Sequence, residues 1–248
     1  MSLFSNYVGH KPSPAVTATS PVEACPCCGS RELAFKKVLW DELVSAWGLS
    51  QYERDYIDRQ QGVSCRACGC NLRSMALAVA ICRCYGFSGT LLHFVEKRAH
   101  KGLRVLEINE AGGLTQFLSR LPKHYVGRYP ELDMTSMQFA AGEFDLVVHS
   151  DTLEHVPDPV KGLTECLRVL ARGGYCAFTI PLIVDRITSS RAGLAPSYHG
   201  TVNERGTDLA VQTEYGCDAW KHVILAGFRE CRLVALEFPA ALALIGSS

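Results

Sequence analysis

Apolar residues recur along this chain with two different periods. Trp40, Leu43, Val44 and Trp47 fall at helical spacing, and the same spacing resumes through Tyr52 and Tyr56. Residues 72–85 read as a buried helix with Asn71 placed to cap its start, and a further helix is expected over residues 89–99. From Gly102 the pattern changes. Residues 103–108 form a short apolar run of strand type, 114–121 a helix, and 124–127 a second strand. Residues 144–149 make a third strand and 160–170 a helix, after which Gly173 and Gly174 turn the chain into a strand over 175–180. Strands alternating with helices predict a mostly parallel sheet covered on both faces, a doubly wound α/β fold of Rossmann-like type. Ligands in such sheets sit outside the carboxyl ends of the strands. The segments just after Ile108, Gly127 and His149 are therefore where chemistry is to be sought.

Composition narrows the class. The chain has 248 residues, 48% hydrophobic and 20% charged, which is globular rather than disordered. Its 25 Lys and Arg balance 25 Asp and Glu, an argument against a protein that grips nucleic acid through backbone phosphates. The N-terminus lacks the basic start and apolar core of a secretory signal, and no run of about 18 uncharged apolar residues offers a membrane span. A cytoplasmic protein is expected, with no membrane partner. Residues 1–20, rich in Pro, Ser and Thr, read as a flexible arm.

The unusual count is 12 cysteines. In a reducing compartment these point to metal ligands and buried thiols rather than disulfides. Cys25-Pro-Cys27-Cys28-Gly29 and Cys65-Arg66-Ala67-Cys68-Gly69 share one shape, a Cys-x-x-Cys pair followed by Gly. Two thiolates converge on one ion in such a knuckle, and the residue after the second Cys must tolerate positive φ. Two knuckles complete the four-thiolate site of structural zinc, with Cys25, Cys28, Cys65 and Cys68 as ligands. Cys27 and Cys70 are spare thiols able to replace a neighbour, while Cys82 and Cys84 read as core thiols. Residues 21–100 thus form a helical zinc-binding module, and 101–248 the α/β domain.

Several runs in that domain resemble a known family. Phe144-Asp145-Leu-Val-Val, then Leu153-Glu154-His155-Val156, then Leu167-Arg168-Val169-Leu170 with Gly173-Gly174, are similar to the class I S-adenosylmethionine-dependent methyltransferases of type 11. The likeness runs over residues 103–228. The knuckles followed by Asn71-Leu72-Arg73, with Pro196-Ser-Tyr198-His199-Gly200, Tyr215-Gly216-Cys-Asp218 and Ala226-Gly227-Phe228, resemble a bacterial branch that carries an N-terminal zinc module. The resemblance implies S-adenosylmethionine as cofactor, bound by Glu107, Asn109 and Gly113 in the first motif, by the residue at position 128, by Asp133 with Met134 at the adenine, and by Ser150 near the methyl group. Two positions depart from the family. The first motif reads Glu107-Ile108-Asn109-Glu110-Ala111-Gly112-Gly113, with Asn109 and Ala111 where the family has glycine. Arg128 stands where the family places the acid that holds the ribose, and the nearest acid is Glu131.

Methyl transfer is an in-line displacement, so the acceptor must be aligned and, for a hydroxyl, deprotonated. Histidine suits the second task. His199, in the polar segment 185–215 read as a substrate lid, is the first candidate, and His149 at a strand end is the second. Tyr198 and Arg73 are candidate substrate contacts, Arg73 for a carboxylate or phosphate. Each has a plain structural alternative: a loop-anchoring histidine, a solvent-facing helix arginine, an Asp133 or Asp151 that only caps a turn or helix. The reading is a methyltransferase acting on an O- or N-centre of a small molecule such as a sugar, glycan precursor or natural product. The alternatives are a non-catalytic binding protein with a degenerate cofactor loop, or an RNA-modifying methyltransferase, against which the neutral charge counts. A homodimer is compatible with this reading.

Overall fold

The computed structural model describes residues 22–198 and 209–248, so the expected arm over 1–20 and His199 lie outside the described residues. Before the main sheet come β1 (Leu33–Phe35), α1 (Asp41–Ala46), α2 (Gln51–Gly62), β2 (Val63–Cys65), α3 (Leu72–Cys84) and α4 (Leu91–Glu96). Then follow β3 (Arg104–Ile108), α5 (Thr115–Leu118), β4 (Lys123–Gly127), β5 (Phe144–Ser150), α6 (Pro159–Val169) and β6 (Leu170–Thr179). The chain closes with β7 (Leu182–Ile183), β8 (Ser189–Ser190), β9 (Thr213–Gly216), α7 (Trp220–Leu225), β10 (Glu230–Glu237) and β11 (Ala241–Ser247).

Six strands pair in the order β10-β11-β6-β5-β3-β4. β4, β3, β5 and β6 are parallel, and β11 runs against both β6 and β10. The sheet is mostly parallel, as the alternation of strands and helices predicts. The reversed β11 has no signature in the chain: its apolar run reads equally as buried strand or helix. Gly173, at φ +78, sits where the β5–β6 register shifts, so the glycine pair does redirect the chain into the paired part of β6.

Side chains along a strand alternate between faces, and here both faces are buried. Val105, Leu146, Val148, Ala177, Ala243 and Ile245 join one core cluster, while Leu106, Val147, Cys176, Phe178, Leu242 and Leu244 join the other. α6 and α7 cover the second face. The first is covered by α3, which lies across β6, β10 and β11. α3 is buried on almost every side because α2 and α4 pack on it from outside. Asn71 caps it, its side chain accepting from Ser74 N–H at 2.9 Å. The cysteine knuckles belong to the same core cluster as this face of the sheet. No helix among the described residues is long and apolar enough to cross a membrane.

The segment between the knuckles is tied to the distant chain by charge. Ser50 and Glu53 form a capping box at the start of α2. Glu53 also accepts two hydrogen bonds from Arg186, at 2.7 and 2.9 Å. The Arg186 guanidinium holds the Glu53 carboxyl down at about 2. A carboxyl with a folded pKa below its unfolded value stabilises the fold above that unfolded value and loses the contribution as pH falls through the folded one. Glu53→Gln is therefore expected to cost about 2 kcal/mol at neutral pH, measured by denaturant unfolding. The difference from wild type should shrink between about pH 4.5 and pH 2; a gap that persists at pH 2 would remove the charge from the account.

Candidate active site

A cavity of about 470 Å³ opens where doubly wound sheets bind ligands, beyond the ends of β3, β4 and β5. Ile108, Asn109, Glu110 and Gly112 line it after β3, Tyr129, Leu132, Asp133 and Met134 after β4, and Ser150, Asp151 and Thr152 at and after the end of β5. Asn109 has φ +54, the left-handed conformation that glycine usually supplies and that Asn tolerates best among side-chain-bearing residues. Its side chain joins the strand ends, donating to Thr152 Oγ1 at 3.3 Å and accepting from Tyr129 N–H at 3.1 Å. Substituting Asn for glycine here keeps the turn and adds a cross-strand tie.

A second cavity of about 490 Å³ adjoins the first, and Asp151 and His155 line both. Asp151 also has positive φ, +49, and its N–H donates to Thr179 O at 3.1 Å. Its carboxylate pairs with the guanidinium of Arg73, whose side chain is only 5% exposed and which also donates to Gln60 Oε1 at 3.0 Å. Arg73 is therefore no solvent-facing helix residue, and Asp151 does not cap the 3-10 turn Leu153–His155, which has no side-chain cap. Arg73 and Asp151 instead form the ionic seam between the cavities. His155 Nδ1 lies 3.2 Å from Ala210 O, which accepts only, so Nδ1 carries a proton. The buried Glu154 carboxylate stands 3.7 Å from Nε2.

The other expected site residues divide. Asn109, Asp133, Met134 and Ser150 lie on the wall of the first cavity. Asp133 Oδ1 also accepts from Thr135 N–H at 2.7 Å, so the residue both makes a turn and faces the cleft. Ser150 Oγ and Thr179 Oγ1 are 2.7 Å apart. Glu107, Gly113 and Arg128 do not reach the wall. Glu107 is fully buried beneath the loop, accepting from Ala111 N–H at 2.7 Å and Thr115 Oγ1 at 2.6 Å, with His124 Nε2 at 2.6 Å on its other oxygen. Arg128 is exposed and pairs with Glu110, so the acid on the wall here comes from the β3 loop; Glu131 is exposed and lines neither cavity. His149 is fully buried and stacks on Phe178 at 4.7 Å between ring centroids. It shares a strand face with Val147, which turns it toward α6, beside the Cys166 and Cys176 thiols and away from the cleft. Tyr198 is half-buried and bridges Ala210.

The two knuckles meet. Sγ atoms of Cys25, Cys28, Cys65 and Cys68 all lie within 4.8 Å of one another, with Cys25–Cys68 and Cys28–Cys65 each at 3.6 Å. Four thiolates about 2.3 Å from one tetrahedral ion stand about 3.8 Å apart, so the spacing fits. Each knuckle closes identically: Gly29 N–H donates to Cys25 O at 2.7 Å and Gly69 N–H to Cys65 O at 2.8 Å, with φ +88 and +74 at the glycines. Burial pushes the Cys28 and Cys68 thiols up, while the Cys27 thiol holds Cys25 low. Four charged sulfurs this close are stable together around a cation. Cys27 and Cys70 stand outside the cluster, facing Ser74 O at 3.9 Å and Gly113 O at 3.4 Å.

That arrangement carries the second knuckle to the cleft. Gly113 N–H donates to Ser74 Oγ at 3.2 Å, and Gln116 Nε2 donates to both Cys68 O and Gly113 O, at 3.0 and 2.8 Å. A Cβ on Gly112 would sit 2.5 Å from Ser74 Oγ, and one on Gly113 2.8 Å from Cys70 Sγ. These glycines are small for the sake of α3 as much as for a ligand. In the chain, Asp151 is marked by its place at a strand end and His155 by the Leu153-Glu154-His155-Val156 run, but both also read as a cap or a partner at a helix start.

Residues 67–178 match the family described as "Methyltransferase domain". The chain is similar to a ubiquinone biosynthesis O-methyltransferase of Psychrobacter arcticus, 31% identical over 40% of this chain and 38% of that one. A ubiquinone biosynthesis O-methyltransferase of Aromatoleum aromaticum is 27% identical over 50% of this chain and 48% of its own. The chain thus spans less than half the length of these curated relatives. Among solved structures, an S-adenosylmethionine-dependent methyltransferase of Aquifex aeolicus aligns over 59% of this chain and 82% of its own, at 13% identity and a TM-score of 0.38.

The loop contact yields a prediction. Gly112 combines positive φ, +58, with the near contact to Ser74. Gly112→Ala is expected to destabilise the protein by about 2 kcal/mol through backbone strain and overpacking, read from the denaturant midpoint. A neutral result would mean that the loop shifts freely against α3.

Proposed function

The chain carries a domain of the S-adenosylmethionine-dependent methyltransferase family, and from that premise we propose that it methylates an oxygen or nitrogen centre of a small molecule. One observation carries the reading: two cavities of small-molecule size meet at Asp151, His155 and Leu209. A donor in one and an acceptor in the other would face each other across those residues. When bound, S-adenosylmethionine supplies an electrophilic methyl on a positively charged sulfur. The first cavity has the donor set for it, with Glu110, Asp133 and Asp151 as carboxylates and Leu132, Met134 and Val156 as an apolar wall for a flat base. Glu110, held by Arg128, takes the place of the missing acid after β4.

His155 is the base for a hydroxyl acceptor. Its Nδ1 proton is fixed on Ala210 O, and the Glu154 carboxylate 3.7 Å from Nε2 would stabilise the imidazolium formed when it takes a proton. His199, outside the described residues, keeps its place as a second candidate on sequence grounds, with Tyr198 beside it. The O-methyltransferase names of the two relatives favour oxygen over nitrogen. We further propose that Cys25, Cys28, Cys65 and Cys68 hold one structural zinc ion, and that the protein works in the cytoplasm, where twelve free thiols stay reduced.

Calorimetry with S-adenosylhomocysteine tests the cofactor site: saturable binding is expected, weakened about tenfold by Glu110→Ala. No binding at millimolar ligand would leave a non-catalytic binding protein as the better reading. With an acceptor in hand, His155→Ala should lower kcat about 100-fold while cofactor affinity stays within a factor of about two; an equal fall in both would make His155 structural. Metal analysis should find one zinc per chain. The double variant Cys28→Ser with Cys68→Ser should lose the ion and, because the knuckle braces the loop, also weaken S-adenosylhomocysteine roughly tenfold. Retained affinity in a folded, zinc-free variant would refute that coupling.

A further inference from the structure

Three side chains from separate elements converge in the core under α6, and none of them lines either cavity. His149 lies near the end of β5, Cys166 on α6 and Cys176 on β6. Each is fully buried, at 0% exposure. One ring nitrogen of His149 and the two sulfurs all lie within 4.8 Å of one another. The strand period explains half of this meeting. Cys176 pairs across the sheet with Val147, and His149 stands two residues further along the same face. The helix supplies the rest, since Cys166 falls with Leu163 and Val169 on the buried side of α6.

As a place for an imidazole alone, this one is poor. Nδ1 and Nε2 of His149 are both shut off from water, and neither makes a well-formed hydrogen bond to a described residue. Burying polar nitrogens in this way is costly, and an apolar ring would fill the space without the cost. The thiols beside it are weak donors. Cys166 and burial push the Cys176 thiol well above its ordinary value, with His149 acting against them. Without a cation beside it, this thiol stays protonated.

A bound cation would answer both problems. Imidazole and thiolate are the donors that suit copper and zinc, not magnesium or calcium. Metal–sulfur bonds of about 2.3 Å and a metal–nitrogen bond of about 2.0 Å put three such donors about 3.5–4.0 Å apart. The cluster already nearly has that span. Structural zinc takes four ligands, and among the described residues no fourth His, Cys, Asp or Glu joins this group. At 0% exposure no bulk water reaches the three residues to be the fourth. Three donors without water suit a soft ion of low coordination number, Cu(I). Release of one thiol proton on binding leaves the site neutral, as deep burial requires.

We propose that His149, Cys166 and Cys176 form a second metal site, separate from the knuckles, that takes Cu(I) in three-coordination. The ion ties α6 to β5 and β6 just before Ser150 and Thr179, whose hydroxyls meet at 2.7 Å, and Ser150 lines the first cavity. The site stands whether or not the protein transfers methyl groups.

The test is metal analysis of the full chain, produced with zinc and copper both supplied and kept reduced. Loading during synthesis means that entry does not depend on opening a finished core. One copper and one zinc per chain are expected. X-ray absorption at the copper edge should show two sulfurs and one nitrogen, whereas copper in the knuckles would show sulfur alone and displace the zinc. His149→Phe, which keeps a ring against Phe178, and Cys176→Ala should each weaken Cu(I) at least about 100-fold, the most that loss of an outer partner costs. Competition with the Cu(I) chelator bicinchoninate reads that change. Zinc without copper, a second zinc in place of copper, a sulfur-only copper shell, or copper affinity unchanged in both variants would overturn the proposal. The analysis and the absorption edge use the unaltered chain, so they decide the matter where a variant does not fold.

Discussion

The contact on which the rest of this structure depends is the first turn of α3 against the loop after β3. Ser74 receives Gly113 N–H, Cys70 stands under Gly113, and neither Gly112 nor Gly113 leaves room for a Cβ. The same turn follows directly on the second knuckle, and α3 then runs beneath β6, β10 and β11. One helix thus links thiolate cluster, ligand loop and sheet. Close-packed interiors pass displacement on rather than absorbing it, so a shift of the knuckles would be felt at the wall of the cleft. Glu107 completes the bracing from below, fixing the loop by its backbone and by Thr115.

A second constraint lies at the strand ends. Asn109 and Asp151 are the two non-glycine residues with positive φ among those described, and both line the cleft. Backbone held this way costs energy and persists where the surroundings over-determine it. Here they do: Asn109 is tied to both neighbouring strand ends, and Asp151 is tied to Thr179 and to a buried arginine. The Arg73–Asp151 pair joins a buried guanidinium to a carboxylate that is 40% exposed. Its place between two cavities gives it a reason to exist. It puts a fixed dipole where donor and acceptor would meet.

Polarity is divided accordingly. The cleft beside β3–β5 has carboxylates and a single apolar shelf, suited to a charged ligand with a flat base. The neighbouring cavity mixes apolar residues with Gln61, Ser189, Ser197 and Thr213. Two preformed pockets that share Asp151, His155 and Leu209 would hold donor and acceptor in line without large motion. His155 has one nitrogen fixed on a carbonyl and a buried carboxylate near the other, the surroundings the proposed proton step would use.

Much of this was legible in the chain. The Cys-x-x-Cys-Gly repeats named four ligands by local spacing, and the structure places those four sulfurs together. Alternating apolar runs specified the parallel strands, because a strand buried on both faces must be apolar almost throughout. The Asn71 cap and the tolerance of Asn109 for positive φ are likewise local properties, readable one residue at a time. What the chain could not tell was direction and partnership. His149 looked like a site residue at a strand end, yet the two-residue period turns it toward α6. Glu107 and Arg128 fall at cofactor positions by motif, yet one is buried under the loop and the other lies in solvent against Glu110. Arg73 and Asp151 are 78 residues apart, 151 less 73, and only folding makes them a pair. Local spacing determined the elements, the four thiolates and the caps, since those depend on neighbours in sequence. The seam between the cavities was decided by tertiary packing, since a buried charge takes whatever partner the fold brings to it.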